Sequence, residues 1–266
     1  MNDDVRDTNT HGLIIDHKSR NKKYQDDSVP KSPVYKIGRV LGSGMIGVAC
    51  LCQDEKRNKL KCLKYMSIEK IREKNLFKNI KDEVQIMYEL IGVEGVCQIE
   101  DIIINEDKDI TIVLPFYALT DLWNYMKVKP GRHLSEKDSR KVFLSLVNTF
   151  IGIHERKIMH RDIKPENILV KNDDLVVCLS DFGLATRVGP QPQYEKTRTG
   201  QAGTPCYYSY EIVKKKPYDE RVDIWCLGVL LFEMLFGALP FSHDPKDARD
   251  YTASISSLVF KFPTKS

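Results

Sequence analysis

From Tyr35 onward apolar and polar positions alternate. Tyr35-Lys-Ile-Gly-Arg-Val-Leu, Val48-Ala-Cys-Leu-Cys and Leu60-Lys-Cys-Leu-Lys-Tyr-Met each repeat with a period of two, which predicts three strands. The stretches between them, Gly42-Ser-Gly-Met-Ile-Gly47 and Asp54 to Asn58, are turn-formers, so the three strands make a small antiparallel sheet. Over residues 67–91 the period lengthens to that of a helix. Ser67 can cap it, and Ile80, Val84, Met87, Tyr88 and Ile91 recur on one face. Ile99 to Ile104 and Ile110 to Leu114 return to strand patterns, with Asp107-Lys-Asp as the hairpin turn. Beyond about Asp121 the chain reads as mainly helical. Ser135-x-x-Asp138 has capping-box spacing ahead of an apolar stripe at Val142, Phe143, Leu146, Val147, Phe150 and Ile151. Residues 1–33 are polar and charged apart from Leu13-Ile14-Ile15, and read as a flexible tail. There is no internal repeat. A sheet-rich part followed by a helix-rich part predicts an α+β fold of two unlike lobes.

Composition narrows the class. A length of 266 residues fits one large domain or two lobes, and 42% hydrophobic with 9% aromatic residues supports a buried core. Lys and Arg number 41 against 37 Asp and Glu, and this scattered excess gives no ground for a nucleic-acid or membrane partner. The longest apolar run, Ile224 to Phe236, is interrupted by Glu233 and falls short of the ~20 residues of a membrane span. The N-terminus lacks a signal-peptide pattern. The seven cysteines are odd in number and form no CxxC pair, so they read as reduced thiols of a cytosolic or nuclear protein.

Candidate chemistry begins at Gly42-x-Gly44-x-x-Gly47, where missing Cβ atoms let backbone N–H groups approach a phosphate. The same spacing opens dinucleotide-binding folds, but those need a helix at the third glycine, and Val48-Ala49-Cys50-Leu51-Cys52 is a strand. A tight hairpin without a ligand is the plainer alternative. Downstream, His160-Arg-Asp162-Ile-Lys164-Pro-Glu-Asn167 is followed, 14 residues after Asn167, by Asp181-Phe-Gly183. Singly, Asp162 reads as a loop cap, Asn167 as a turn residue and Asp181 as a surface charge. Together, after a glycine turn and Lys64, they suit phosphoryl transfer, which needs a base for the attacking hydroxyl, cations for the charge and oxygen ligands for Mg²⁺.

On these motifs the sequence resembles the eukaryotic-type serine/threonine protein kinases, from about Tyr35 to its end. The resemblance implies a two-lobed kinase fold: the tail over 1–33, a small antiparallel-sheet N-lobe with one helix and the hinge over 34–117, and a mainly helical C-lobe over 118–266. It implies ATP and Mg²⁺ as cofactors. Leu41, Gly42, Ser43, Gly44, Met45, Ile46, Gly47 and Ala49 match the lid over the nucleotide. Cys62, the gatekeeper Leu114, hinge Tyr117, Asp121 at the ribose and Leu169 complete the cofactor site. Lys64 matches the phosphate-holding lysine and Glu83 its helix partner. Asp162 matches the catalytic base, Lys164 the γ-phosphate contact, and Asn167 and Asp181 the metal ligands. Asp181 to Glu211 matches the activation segment, with Thr204 lining the acceptor site, and Asp223 matches the buried aspartate that supports the catalytic loop. Lys164 together with Gly203-Thr-Pro is the serine/threonine form of the pattern. The resemblance leans towards Aurora-type mitotic kinases through Tyr218 to Leu230 and Phe260-Lys-Phe-Pro263, which implies a cell-cycle role.

Departures carry their own expectations. Ala49 and Cys62 replace a valine and an alanine of the adenine ceiling, opposite size changes that compensate in volume. Ile46 replaces the aromatic usual at the loop tip, which weakens phosphate covering. Ser209-Tyr-Glu211 stands where the family has Ala-Pro-Glu, and the family's later helices, with an arginine for Glu211, do not follow. The C-lobe therefore reads as truncated, Glu211 as a buried unpaired carboxylate, and the fragment as marginally stable unless a lobe-completing or activating protein joins it. Asp121, Glu166 and Glu233 match positions that bind arginine upstream of the acceptor in protein substrates. Arg161 implies an activating phosphothreonine, with Thr197 and Thr199 as candidates. The competing reading is a pseudokinase or scaffold that keeps the fold for binding.

Overall fold

The alternating segments pair as their spacing requires. The computed structural model describes residues 35–105, 109–117, 120–189, 201–241, 248–257 and 262. In it β1 (Tyr35–Ser43), β2 (Gly47–Asp54), β3 (Lys59–Met66), β4 (Asp101–Ile104) and β5 (Ile110–Pro115) form an antiparallel sheet in the order β1-β2-β3-β5-β4. Ala49 faces Lys64 and Leu51 faces Cys62 across the β2–β3 ladder, so these four side chains share one face. Cys52 and Leu63 lie on the other face and are buried with Tyr35 and Val113.

The helix expected over 67–91 is two helices, α1 (Ile68–Glu73) and α2 (Phe77–Glu89). Ser67 caps α1 by accepting the Lys70 N–H at 3.4 Å. Asn75 breaks the run by entering the left-handed region at φ 54°, a conformation Asn tolerates well. The buried face of α2 also differs from the apolar count. Ile80, Glu83, Ile86 and Met87 point inward, whereas Tyr88 and Ile91 are about half exposed. A charged residue, Glu83, occupies the inner face because Lys64 neutralises it, and hydrophobicity alone misphases such a helix.

The part after Asp121 carries α3 (Leu122–Lys127), α4 (Glu136–Glu155), α5 (Tyr210–Val213), α6 (Arg221–Phe236) and α7 (Ala248–Ser257). It also carries five short strands that a mainly helical reading does not anticipate: β6 (Thr120–Asp121), β7 (Ile158–Met159), β8 (Ile168–Val170), β9 (Val177–Leu179) and β10 (Thr186–Arg187). Strands of two or three residues are too short to display a period. β6, β8 and β9 form one sheet, and β7 pairs with β10. The loop between β7 and β8 is thereby held from both sides.

Ser135 caps α4 as its spacing predicts, accepting the Asp138 N–H at 3.1 Å. Val142, Leu146, Phe150 and Ile153 are buried on α4, while Ile151, expected on the stripe, is exposed. α6 is buried on nearly all sides, including Asp223 and Glu233, and ends at Gly237 with φ 67°. One hydrophobic core joins the two parts, running from Met66, Ile86 and Leu90 through Phe150 and Leu179 to Leu230. The seven cysteines are free thiols. Among the described residues no helix is long and apolar enough to cross a membrane.

Glu211 corrects one expectation. It is exposed at the start of α5 rather than buried, so it carries no desolvation cost for an arginine to offset. The tail over 1–33, the turn at Asp107-Lys108, Thr197, Thr199 and residues 260–263 apart from Phe262 lie outside the described residues. Replacing Glu211 with Gln is therefore expected to change the unfolding free energy by less than about 0.5 kcal/mol. Leu146→Ala, at a fully buried position, is expected to cost about 2–5 kcal/mol. Urea unfolding of both variants checks the contrast.

Candidate active site

The loop from His160 to Asn167 hangs on Asp223 at the first turn of α6. Asp223 is fully buried and accepts the backbone N–H of His160 at 2.9 Å and of Arg161 at 2.9 Å. Its Oδ2 also meets His154 Nε2 at 2.9 Å. Arg161 takes φ 70° to present both amides, and its guanidinium donates to the Leu184 carbonyl at 2.8 Å. The His160 ring accepts the Asp162 N–H on Nδ1 at 3.2 Å, which leaves Nε2 protonated and donating to the Ser180 carbonyl at 3.1 Å.

Asp162, pinned in this way, is the centre of a polar cluster. Asn167 Nδ2 donates to its backbone carbonyl at 2.7 Å and to Oδ2 at 3.0 Å. Lys164 Nζ lies 2.9 Å from Oδ2. The Thr204 hydroxyl donates to Oδ1 at 2.7 Å and accepts from Lys164 Nζ at 2.9 Å. Thr204 reaches this point because Gly203 can lie against the loop. At φ 102°, a Cβ on residue 203 would stand 2.2 Å from the Arg161 carbonyl oxygen.

A second cluster crosses from the sheet. Lys64 Nζ bonds Glu83 Oε1 at 2.6 Å and lies 3.5 Å from Asp181 Oδ1. Burial lowers the Lys64 pKa, but Glu83 and Asp181 more than offset this and hold it above the ordinary lysine value. Burial raises the Asp181 pKa, and Lys64, His160 and the Gly183 N–H outweigh it, so the carboxylate stays ionised. Ser180 donates its N–H to the Asn167 carbonyl at 2.9 Å, which brings Asn167 beside Asp181.

These two residues fit a hard divalent cation. The Asn167 nitrogen is committed to Asp162, which leaves its amide oxygen as the ligand atom, and Asp181 contributes an ionised carboxylate. Among the described residues no three His, Cys, Asp or Glu side chains cluster, so these two oxygens would be joined by water and substrate oxygens, as Mg²⁺ prefers.

The glycine turn divides its labour. A Cβ at Gly42 meets nothing and one at Gly44 only the Gly47 carbonyl at 3.9 Å, while the Gly44 N–H donates to that carbonyl at 2.8 Å and closes the turn. At Gly47 a Cβ would stand 1.8 Å from the Tyr65 carbonyl, so that glycine is required by strand packing. Met45 is the exposed tip. Ile46, expected at the tip, packs against the core, and its carbonyl accepts the Ser67 N–H at 2.9 Å. Leu41 and Ser43 line the exposed end of β1. Cys62 and Leu114 pair across β3 and β5, with burial pushing the Cys62 thiol up to about 11. Leu169 is the half-buried residue between buried Ile168 and Val170. The Tyr117 ring lies under Lys171 Nζ at 5.1 Å. Asp121, placed at a ribose by resemblance, caps α3 by accepting the Asn124 N–H at 2.8 Å.

Two features carried no sequence signal. Tyr207 donates its hydroxyl to buried Glu233, and Arg187 binds Glu89 from 98 residues away. Burial raises the Glu233 pKa and exposed Glu166 adds to this, against the Tyr207 hydrogen bond. A folded-state pKa above the ordinary glutamate value of about 4.3 means that the folded protein binds more protons across that window, so stability falls as pH rises through it. Glu233→Gln removes this loss. The variant is expected to melt higher than the parent at neutral pH, by about 2–4 °C for each kcal/mol relieved, and to lose the advantage near pH 4. Thermal melts from acid to neutral pH check it; a pH-independent difference refutes it.

Comparison with known proteins locates this arrangement. The protein kinase domain family matches residues 35–265. The chain is 30% identical over 258 residues to NUAK family SNF1-like kinase 1 of Homo sapiens, covering 96% of this chain and 36% of that one. It is 34% identical over 232 residues to CBL-interacting protein kinase 2 of Oryza sativa subsp. japonica, covering 86% and 50%. It is 29% identical over 271 residues to an Aurora kinase of Yarrowia lipolytica, covering 97% and 70%. The chain thus spans between about a third and a half of the length of the first two relatives, and the Aurora likeness is one among several. Because the family match extends over both the sheet and the helical part, the chain belongs to the protein kinase domain family.

Proposed function

We propose that this chain transfers the γ-phosphoryl group of ATP to serine or threonine hydroxyls of proteins. One observation carries the reading. The Thr204 hydroxyl stands 2.7 Å from Asp162 and 2.9 Å from Lys164, so this pair already receives a hydroxyl with a carboxylate on one side and an ammonium on the other. An acceptor hydroxyl in the same position gives its proton to Asp162 as its oxygen attacks, while Lys164 faces the charge on the transferred group. Lys64, oriented by Glu83, supplies the cation on the other side. Asn167 and Asp181 would hold Mg²⁺, which when bound neutralises charge on the phosphates. The space left by the missing Cβ atoms at Gly42 and Gly44 favours a close approach of the phosphates of ATP.

The proposal extends to substrate preference. Glu166 adds to the raised pKa of Glu233, so the two carboxylates repel each other. A guanidinium between them relieves that repulsion, which supports arginine upstream of the acceptor. Asp121, engaged at both oxygens by Asn124, is left to the ribose or to its helix. The Aurora likeness supports a cell-cycle role, and the CBL-interacting relatives support a protein partner. The free thiols support a reducing compartment, cytosol or nucleus.

Incubation with labelled ATP, Mg²⁺ and an arginine-containing serine peptide tests the activity. Asp162→Asn is expected to lower incorporation by about 10²–10⁴-fold, the range of a lost general base. No incorporation by the parent, with ATP still raising its melting temperature, would turn the reading to a nucleotide-binding scaffold. Glu166→Gln is expected to lower kcat/KM about tenfold for the arginine peptide and leave an alanine counterpart unchanged. Equal effects on both peptides refute the arginine preference.

A further inference from the structure

α2 presents Glu83 to Lys64 and buries Ile80, Ile86 and Met87, yet neither of its ends is held by its own side chains. Its N-terminus lacks a side-chain cap, and its last turn carries no basic residue. That last turn instead ends on Glu89, a carboxylate at the negative end of the helix dipole, where charge of that sign is unfavourable. The compensation comes from the other part of the chain. Arg187 grips the carboxylate as a fork, with Nη2 at 2.6 Å from Oε1 and Nε at 3.1 Å from Oε2 and 3.2 Å from Oε1. Arg156, just beyond α4, donates Nε to the Glu89 backbone carbonyl at 3.2 Å. The end of α2 is thus closed by two guanidinium groups that belong to other elements.

The position of Arg187 gives this contact its consequence. Arg187 lies on β10 opposite Ile158 of β7, and Val188 donates its N–H to the Lys157 carbonyl at 2.8 Å. β7 runs directly into His160 and Asp162, and β10 follows Asp181 by a few residues. The side chain of Arg187 is 11% exposed and that of Glu89 45%. A pair so exposed on one side adds little to global stability. A forked, nearly buried guanidinium does fix direction, which an ammonium does not.

We propose that Glu89 and Arg187 are positioning residues that set α2 against the β7–β10 pair, and so hold Glu83, Lys64 and Asp181 in register with Asp162 without touching nucleotide or substrate. The proposal rests on the phosphoryl-transfer reading above for its effect on rate, and on geometry alone for its effect on α2.

The test uses the whole chain with Arg187→Glu, Glu89→Arg and the double exchange. Each is assayed for kcat and KM with ATP and the arginine-containing peptide, and for hydrogen exchange over residues 77–90. Each single reversal is expected to lower kcat about tenfold and to speed exchange in α2, and the double exchange to recover kcat to within about threefold and to restore protection. Arg187→Lys, which keeps the charge and loses the fork, is expected to fall between and serves if a reversal does not fold. Unchanged kcat and exchange in the single variants overturn the proposal, as does a double variant no better than the product of the singles. If the parent transfers no phosphate, the phosphoryl-transfer reading fails by itself, and the exchange pattern then decides the pairing in either direction.

Discussion

A carboxylate with no exposed surface governs the rest of the molecule. Asp223 lies in the first turn of α6, and its two oxygens are met by the amides of His160 and Arg161 and by the His154 ring. Stripping such a group of its partners costs about 3–5 kcal/mol. Holding Arg161 at φ 70° costs about 1–2 kcal/mol by comparison. Losing the partners is the costlier of the two, so the chain accepts a left-handed turn immediately before Asp162. The direction in which Asp162 points is therefore decided by a residue 61 positions later in the chain. The same turn leaves no room for a side chain at Gly203, so the segment bearing Thr204 is shaped by the constraint as well.

Charge is divided unequally between the two clusters. Lys64 lies 2.6 Å from Glu83 and 3.5 Å from Asp181, and Glu83 is the more buried carboxylate. The close pair answers the desolvation of Glu83, which could not be left alone at its depth. The longer contact leaves Asp181 ionised with unused lone pairs, half-exposed at the cleft and beside Asn167. A residue wholly consumed by Lys64 would have nothing to offer a cation. Asp162 differs in being surrounded by donors, Lys164, Asn167 and Thr204, that orient it.

The legible part of the structure is what local period and spacing encode. The five strands of the first sheet and the caps at Ser67 and Ser135 follow from alternation and from short side chains with free acceptors. The carboxylate, amide and lysine of the candidate site are legible as a joint pattern, although each alone is ambiguous. The misses have a common cause. The stripe on α2 is misphased because Glu83 is buried through a partner on another strand. β7 and β10 are two residues each and exist through pairing, with no propensity to reveal them. Glu211 reads as buried from the company its counterpart keeps in other chains, while here it faces solvent. Tyr207 with Glu233, and Glu89 with Arg187, join residues that nothing in the intervening sequence relates.

The two parts of the chain meet through contacts of two unlike kinds, and each kind settles a different thing. Behind the site, Leu90, Val93 and Val96 share a core with Phe150 and Leu179. There the loop after α2 joins β9 through Cys97 N–H to the Leu179 carbonyl at 2.8 Å and Leu179 N–H to the Gly95 carbonyl at 2.7 Å. Apolar burial is non-directional and lost steeply on separation, so this junction holds the two parts together. Other contacts between the parts are ionic: Lys64 to Asp181 at the candidate site, and Arg187 to Glu89 at the end of α2. Such pairs specify orientation at close range. The apolar junction sets where the two parts meet, and the ionic pairs set how Lys64 and α2 are turned towards Asp181 and β10. Apolar burial alone would leave that orientation unspecified, because it has no direction.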